Sequence, residues 1–432
     1  MIVPSSRLIV LAALIVPPAV ALASFRAGMA APAALLIAGC IVAAAIDGWF
    51  GSRRPKALSV ETPPSVRLTQ RRVASIPILL QNHSSQPLVA RIAVAMPNGV
   101  ESNQGVLPAE IPPGRSSLEW SLVGVVRGEH LLQQAYIESG SPLGLWNIRS
   151  ARAIACQLRV YPDLRDRASA ALFQRTALAG ARLHRQVGKG REFDRLRQFM
   201  PGDSYEDVYW KATAKRGAPV VKLYHLEHSQ QVYVALDCSR LSALEGRLDG
   251  YVEAALHLAL CAERQGDRFG LILFSDRVHS VVEARRGPEH FRLCRDAIYN
   301  AQSRRVNPDF AEVCDSLQRK LRRRSLIVFL TCLDDTLLAE SFERDVAIMS
   351  RRHLLLVHLM RSSESKPMFA GGPPGNLDDV YSALGSQLQW NRIRRLQLSL
   401  ENRGVRLTLL DPGQARQQVA AAYLDVKRRQ LL

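Results

Sequence analysis

Two long apolar runs open the chain, Leu8 to Phe25 and Ala27 to Ile46, and neither contains a charged residue. Each has about the 20 residues that a bilayer-crossing helix needs. From Ala57 to Asp163 the pattern changes to short alternating runs: Val66–Leu68, Ala74–Leu80, Leu88–Val94, Ser117–Val123, Leu131–Ile137 and Gln157–Tyr161. Turn-forming clusters separate them, among them Asn82-His83-Ser84-Ser85, Pro97-Asn98-Gly99 and Pro112-Pro113-Gly114. Strands at this spacing, without a helical period, predict a small antiparallel β-sandwich of immunoglobulin- or fibronectin-like form.

After Gln231 the period changes again. Val232–Leu236, Gly270–Phe274, Val278–Val282, Ser325–Thr331, His353–Met360 and Val405–Leu410 are short apolar runs of β type. Amphipathic stretches lie between them: Ser242–Arg264, Pro288–Ser303, Asp309–Arg323, Thr336–Arg351 and Leu377–Asn402. This alternation predicts an α/β domain with a mostly parallel sheet covered on both faces, in which Gly270–Phe274 and Val278–Val282 form one antiparallel hairpin. The predicted organisation is therefore an apolar helical pair in 1–56, a β-sandwich in 57–163, a charged joining segment in 164–230 and an α/β domain in 231–432.

Only Arg26 separates the two apolar runs, with Gly28 close by, which predicts a helical hairpin. Pro17 and Pro18 kink the first helix, a feature that membrane helices tolerate. Arg7 flanks one end and Arg53, Arg54 and Lys56 the other, so the basic residues place both ends on the cytoplasmic side. Trp49 stands where an interfacial aromatic belongs. A secretory signal ending at Ala21-Leu22-Ala23 is the competing reading, but a second full span follows at once.

Composition adds bounds. The 432 residues are 47% hydrophobic and 22% charged, which allows packed cores throughout. The formal net charge of +18 admits nucleic acid, anionic lipid or an acidic protein as partner. Yet Arg322-Arg323-Arg324 and Arg351-Arg352 fall at predicted helix ends, where cations complement the helix dipole. No nucleic-acid-binding motif is visible and the basic residues are not interleaved with aromatics, so nucleic-acid binding is not expected. The seven cysteines contain no CxxC pair, which argues against a disulfide framework or zinc site and fits a reducing compartment.

Two stretches carry candidate chemistry. In an open α/β sheet ligands bind beyond the carboxyl ends of the strands, and Asp237, Ser239 and Ser242 follow the first strand there. Their oxygens suit Mg²⁺, although an Asp and serines at that place also cap helices. The other stretch, Gly190 to Glu227, is too charged for a core element and too patterned for a linker. Its ordinary reading is a clamp of ion pairs and turns joining the two soluble domains; its functional reading is a partner surface. Ser141-Pro142-Leu143-Gly144-Leu145-Trp146 reads as a tight turn with no chemistry.

These residues together resemble the DUF58 family of bacterial membrane proteins. The resemblance rests on Gly190-Arg191-Glu192-Phe193, Leu196-Arg197, Pro201-Gly202-Asp203 and Trp210 to Lys215. It extends to Val221-Lys222-Leu223-Tyr224 with Glu227, the Ser141–Trp146 turn, Val160-Tyr161-Pro162 and Gly266 to Gly270, and so spans nearly the whole chain. It implies a von Willebrand factor A-like (vWA-like) C-terminal domain opening at Asp237, multi-pass attachment to the bacterial inner membrane with cytoplasmic soluble domains, and a MoxR-type AAA+ ATPase as partner. Glu192, Phe193, Arg197, Pro201, Gly202, Asp203, Trp210, Lys215 and Glu227 become the candidate partner surface.

The resemblance also implies a Mg²⁺ site on Asp237, Ser239 and Ser242. The chain departs from that pattern in three places: Leu241 stands where a second serine is expected, Pro308 where a threonine is, and Cys332 where a second aspartate is. Neither proline nor a neutral thiol is a ligand for Mg²⁺. The expectation is a non-enzymatic, membrane-anchored adaptor. A metal-dependent hydrolase using Asp237 and nearby acids, and a basic binder of membrane surfaces or nucleic acid, are the alternatives.

Overall fold

A computed structural model of the protein describes residues 1–25, 29–54, 57–164, 187–201, 203–225, 230–362, 365, 367, 376–429 and 431. The chain divides into two units, Met1–Asp163 and Leu164–Leu432.

In the first unit a short strand, β1 (Ile2–Pro4), leads into the apolar helices α1 (Ser6–Phe25) and α2 (Ala30–Gly51). Both are long and apolar enough to cross a membrane, and they fit a hairpin. Pro17 and Pro18 lie inside α1. The rest of the unit is two sheets. One has the order β2 (Leu58–Glu61), β4 (Val73–Asn82), β8 (Gly114–Gly124), β6 (Val100–Glu101), all antiparallel. The other runs from β1 through β10 (Trp146–Tyr161), β9 (Gly128–Gly140) and β5 (Leu88–Val94) to β7 (Leu107–Ile111), with β3 (Ser65–Thr69) pairing parallel to β10.

Alternation makes these sheets one-sided. Along β4, Ile76, Ile78 and Leu80 are buried while their neighbours face out, and they meet Ile92, Trp120, Leu122, Ile137 and Leu158 in one core. The six predicted strands are all present, but three further strands and the first half of another were not foreseen. β2, β6 and β7 are short, and β10 starts eleven residues before Gln157, its first half carrying Arg149, Ser150 and Arg152. A register shift between Ala153 and Cys156 breaks the alternation that would have betrayed it.

The last turn of α2 is seated on the β9–β10 connection. Asp47 is buried, and its carboxylate accepts from Ser141 Oγ (2.5 Å), the Leu143 amide (2.8 Å) and the Leu145 amide (3.3 Å). Trp146 Nε1 donates to the Ala44 carbonyl at 2.7 Å. Gly48 and Gly51 face Trp146, Ser141 and Ile148 so closely that a Cβ at Gly51 would lie 2.7 Å from Ile148 Cδ1. The start of α1 meets the same turn: Ser5 Oγ donates to the Gly144 carbonyl at 2.6 Å, and β1 pairs with Trp146–Ile148. The turn that reads as inert in sequence is thus where both feet of the hairpin are fastened.

The second unit holds a two-stranded antiparallel ribbon, β11 (Val187–Gln198) with β12 (Val220–His225), and a six-stranded sheet. The sheet order is β15 (Val278–Arg285), β14 (Arg268–Phe274), β13 (Gln231–Asp237), β16 (Leu326–Thr331), β17 (Leu354–Met360), β18 (Arg406–Leu410). Every pairing is parallel except β14–β15, the predicted hairpin.

The helices are α3 (Trp210–Arg216), α4 (Arg247–Arg264), α5 (Pro288–Ile298), α6 (Phe310–Lys320), α7 (Thr336–Ser350), α8 (Leu377–Asn402) and α9 (Ala415–Arg428). Val232, Val234 and Leu236 of β13 pack with α4, α5 and α9, whereas Tyr233 and Ala235 pack with α6, α7 and the end of α8. Both faces are covered, which is why the central strands read as continuous apolar runs. Helix α9 went unpredicted, although Ala415, Val419, Ala420, Tyr423 and Val426 line its buried face at helical spacing.

The Gly266–Gly270 turn has a packing reason. Asp267 is fully buried and accepts from Tyr423 Oη, from Lys427 Nζ (2.8 Å) and from the Gln230 amide (3.0 Å). Gly270 lies beside Tyr233 on the adjacent strand, and a Cβ there would fall on the phenol ring.

Candidate functional site

Parallel strands β13 and β16 end side by side, with Leu236 opposite Leu330, and so bring the next residues, Asp237 and Thr331, together. Asp237 is completely buried. Its Oδ2 accepts from Thr331 Oγ1 at 2.6 Å and its Oδ1 from the Ser239 amide at 2.8 Å. Burial raises the Asp237 carboxyl above the usual carboxylate range, and the hydrogen bonds from Thr331 and Ser239 oppose that rise. Ser239 caps the short turn Arg240–Ser242 by accepting from the Leu241 amide (3.3 Å). Ser242 is buried and its Oγ makes no hydrogen bond among the described residues.

Three residues that sequence reasoning missed complete the network. Arg247, the first residue of α4 and 4% exposed, donates from Nη1 to Cys332 Sγ and to Asp334 Oδ2, both at 2.7 Å. One turn on, the buried Tyr251 hydroxyl donates to the Thr331 carbonyl (2.5 Å) and accepts from the Met360 amide (2.7 Å). Burial pushes the Cys332 thiol well above its ordinary range, the Asp334 charge adds to that, and Arg247 only partly counters it. Cys332 is therefore a neutral thiol that accepts a hydrogen bond from a guanidinium. Thr331 is 94 residues from Asp237, and only the register of neighbouring strands, each ending in a polar residue, could have signalled it.

The acids nearest the positions of the missing ligands have other work. Asp309 caps α6 by accepting from the Glu312 amide. Asp335 caps α7, accepting from the Leu337 and Leu338 amides, and pairs with Arg240 at 3.3 Å. Asp334 is paired to Arg247. Among the described residues no group of three or more His, Cys, Asp or Glu is placed to hold a metal. A Mg²⁺ ion needs hard oxygen donors in near-octahedral array. Here the position expected to supply a second carboxylate supplies a thiol under a guanidinium, and Pro308 is buried. This donor set does not fit Mg²⁺.

Around the buried network lies an exposed polar rim. Arg240 pairs its Nε with Asn307 Oδ1, and its amide donates to the Val306 carbonyl. Arg304 and Arg305 are exposed beside it, and the Arg304 amide donates to the Cys238 carbonyl. On the other side Ser275 Oγ sits 2.6 Å from His279 Nε2 and 2.7 Å from Asp276 Oδ1. Burial holds His279 below the usual imidazole range, with Arg304 adding to it. A serine hydrolase would need the acid on the far ring nitrogen and an accessible hydroxyl. In this cluster Asp276 contacts the serine, and Ser275 is fully buried.

The Gly190–Glu227 stretch forms the β11–β12 ribbon with α3 between its strands. Arg197 Nη2 reaches both oxygens of Asp203, at 2.7 and 2.9 Å, and Asp203 also accepts from the Met200 amide. The Pro201–Asp203 turn is thus closed by the Arg197 ion pair. Phe199 packs on Tyr205, and Lys222 Nζ lies 4.1 Å from the Tyr209 ring centre. Pro201 and Lys215 are exposed, and Trp210 is 68% exposed rather than packed as a clamp would have it. Glu192 and Phe193 lie on β11, paired with His225 and Tyr224, and their side chains lie outside the described set. Gly202 and Glu227 lie outside the described residues.

Residues 195–371 match the family described as "Protein of unknown function DUF58". No curated protein matches the chain. Among solved structures, the chain is similar to the conserved hypothetical protein BatB from Bacteroides thetaiotaomicron, at 12% identity and TM-score 0.28, over 46% of this chain and all of that one. It is also similar to proximal thread matrix protein 1 from the mussel byssus, at 8% identity and TM-score 0.27, over 45% of this chain and 46% of that one. A third likeness is to murine CRIg, at 14% identity and TM-score 0.15, over 24% of this chain and 97% of that one. At these scores none of the three structural likenesses carries an argument. What stands is the match to DUF58, which supports the family resemblance on residues that run from the ribbon through most of the α/β sheet.

Proposed function

We propose that the protein is a membrane-anchored adaptor that works by protein–protein contact at the carboxyl edge of its α/β sheet. On this reading the second unit is vWA-like, the sheets of the first are an immunoglobulin-like module, and a MoxR-type AAA+ ATPase is the partner. The carrying observation is the Asp237–Thr331–Cys332–Arg247 network, ringed by Arg240, Asn307 and Asp335. The buried part fixes the strand ends and the exposed part offers charged and amide groups to a protein surface. Arg is favoured at interfaces for its planar, multiply donating head.

The same network supports an adaptor that works without metal, because a resident guanidinium stands over the thiol that replaces the second acid. The hydrolase alternative would have to use Asp237, which has no exposed surface and whose oxygens both accept hydrogen bonds. Some of the arginines have local partners: Asp425, for example, is held down to about 2 by Arg406, Arg428 and Arg429.

The test is binding of the purified full chain to a MoxR-type ATPase without nucleotide. Arg240→Glu is the variant of choice, being an exposed rim change, whereas Asp237→Ala would unpair a buried network. Arg240→Glu is expected to weaken binding at least tenfold, and chelation of Mg²⁺ to change neither binding nor Tm. Retained binding by Arg240→Glu counts against this edge, and loss on chelation counts against metal independence.

A further inference from the structure

The buried residues of α2, Ala44, Asp47, Gly48 and Gly51, form one stripe near its C-terminal end. At 1.5 Å per residue the stripe is about 10 Å long. The Ser141–Trp146 turn is bonded along it, with Trp146 on the Ala44 carbonyl and Ser141 and Leu143 on the Asp47 carboxylate. The turn therefore climbs the helix to the last residues of its apolar run, which ends at Ile46. Helices α1 and α2, of 20 and 22 residues, are about 30 and 33 Å long, against roughly 30 Å for the hydrocarbon core of a bilayer. A pair of that length across a bilayer keeps its feet at the lipid–water interface. Ser5 and Asp47 fasten the turn to both feet, so in a bilayer it lies at the interface too.

What faces out at that level is apolar and basic. Leu143, at the tip of the turn, is 63% exposed, and Trp49 and Phe50, in the last turn of α2, are 58 and 50% exposed. Arg7 and Arg53 are exposed. Arg53 is held over the Trp49 ring, and Arg7 Nη1 lies 3.0 Å from where a Cβ on Gly144 would stand. Arg54 is tied to the Gly140 carbonyl at 3.3 Å. Among the described residues of the two feet the one acid is Asp47, buried with both oxygens accepting hydrogen bonds, so no exposed carboxylate there balances the guanidiniums. Aromatic and leucyl side chains beside arginines suit the boundary between headgroups and acyl chains. A guanidinium fits a phosphate bidentately, and an uncompensated cluster of them favours lipids of net negative charge.

We propose that the feet of the hairpin and the β9–β10 turn bind the headgroups of anionic phospholipids, with phosphates on Arg7 and Arg53 and Leu143 among the acyl-chain ends. This binding presupposes that α1 and α2 span a bilayer. It adds that the β-sheets of the first unit touch the membrane and select the lipid beside them. The test uses the full chain with Cys40→Ser, whose remaining native cysteines are buried, reconstituted in phosphatidylcholine vesicles. A fluorophore is attached through Leu143→Cys, through Leu35→Cys in mid-α2 (74% exposed), or through Leu131→Cys (44% exposed) on β9. At 3.3 Å per residue Leu131 stands about 30 Å along the strand from the turn. Nitroxide lipids serve as quenchers. Acyl-chain nitroxides should quench the Leu35→Cys label; failure there removes the membrane span and the lipid contact with it. Headgroup nitroxides should quench the Leu143→Cys label at least threefold more than the Leu131→Cys label. Nitroxide phosphatidylglycerol should quench Leu143→Cys at least twice as strongly as nitroxide phosphatidylcholine at equal content. Arg7→Gln with Arg53→Gln should abolish that excess. Quenching at Leu143→Cys no greater than at Leu131→Cys, with Leu35→Cys quenched, overturns the contact while leaving the span intact. Equal quenching by the two lipids, or an excess that survives the arginine changes, overturns the selection of anionic lipid.

Discussion

His358 sits fully buried on β17, with neither ring nitrogen hydrogen-bonded among the described residues. Burial, aided by Arg406, lowers it from 6.5 to about 4. The sign follows from linkage: the unfolded chain takes up a proton near pH 6.5 and the folded one does not, so stability is full above pH 6.5 and drains as pH falls toward 4. The expected loss over that window is about 3 kcal/mol. His358→Leu should therefore flatten the fall in urea midpoint between pH 7 and pH 4.5; an unchanged slope would refute the assignment. Gly270→Ala forces a methyl into the Tyr233 ring and should cost about 1–3 kcal/mol by the same measurement at pH 7. Residues of this kind differ in how far sequence exposes them. Asp237 and Ser239 were legible because an acid and a serine ended an apolar strand. Thr331, Arg247 and Tyr251 were not, because register and a helix start decide their place, and an arginine beside a cysteine has no sequence signature.

Elements show the same division. The central strands were readable since burial on both faces makes them apolar throughout. The β11–β12 ribbon was not, since two strands rich in charge carry no such run, and only its turn residues hinted at structure. The seat of α2 is the clearest case: Asp47 falls just outside the apolar run, and the Ser141–Trp146 turn looks complete without it. Together they form one polar socket. Asp47→Ala leaves Ser141 and two amides without their acceptor, at an expected cost of about 3 kcal/mol to the first unit. Ser141→Ala should cost about 1 kcal/mol, and a double-mutant cycle should show strong coupling. Protease sensitivity of the Leu143–Leu145 bonds, low in the parent and raised in Asp47→Ala, reads the same event; equal sensitivity would deny the socket any role.

At the scale of the molecule, both feet of the α1–α2 hairpin meet the β9–β10 turn, through β1 and Ser5 on one side and Asp47 on the other. Arg53, whose guanidinium lies 4.2 Å over the Trp49 ring, and Arg54, bonded to the Gly140 carbonyl, stand at the same foot. This arrangement favours the hairpin over a cleaved signal, and we propose that both of its ends lie on the cytoplasmic side, where the flanking basic residues would place them. A reporter fused after Leu432 should behave as cytoplasmic, and alkaline phosphatase activity from that fusion would reverse the topology. In the other unit Arg247 closes the carboxyl edge of the sheet, and Arg240 on its rim is the proposed contact with a partner. The direct measurement is the affinity of the full chain for a MoxR-type ATPase, parent against Arg240→Glu, each with and without a Mg²⁺ chelator. Saturable binding by the parent, at least a tenfold loss in Arg240→Glu, and no effect of the chelator in either are the expected results. Binding that survives Arg240→Glu or vanishes with the chelator would contradict the proposed metal-free contact.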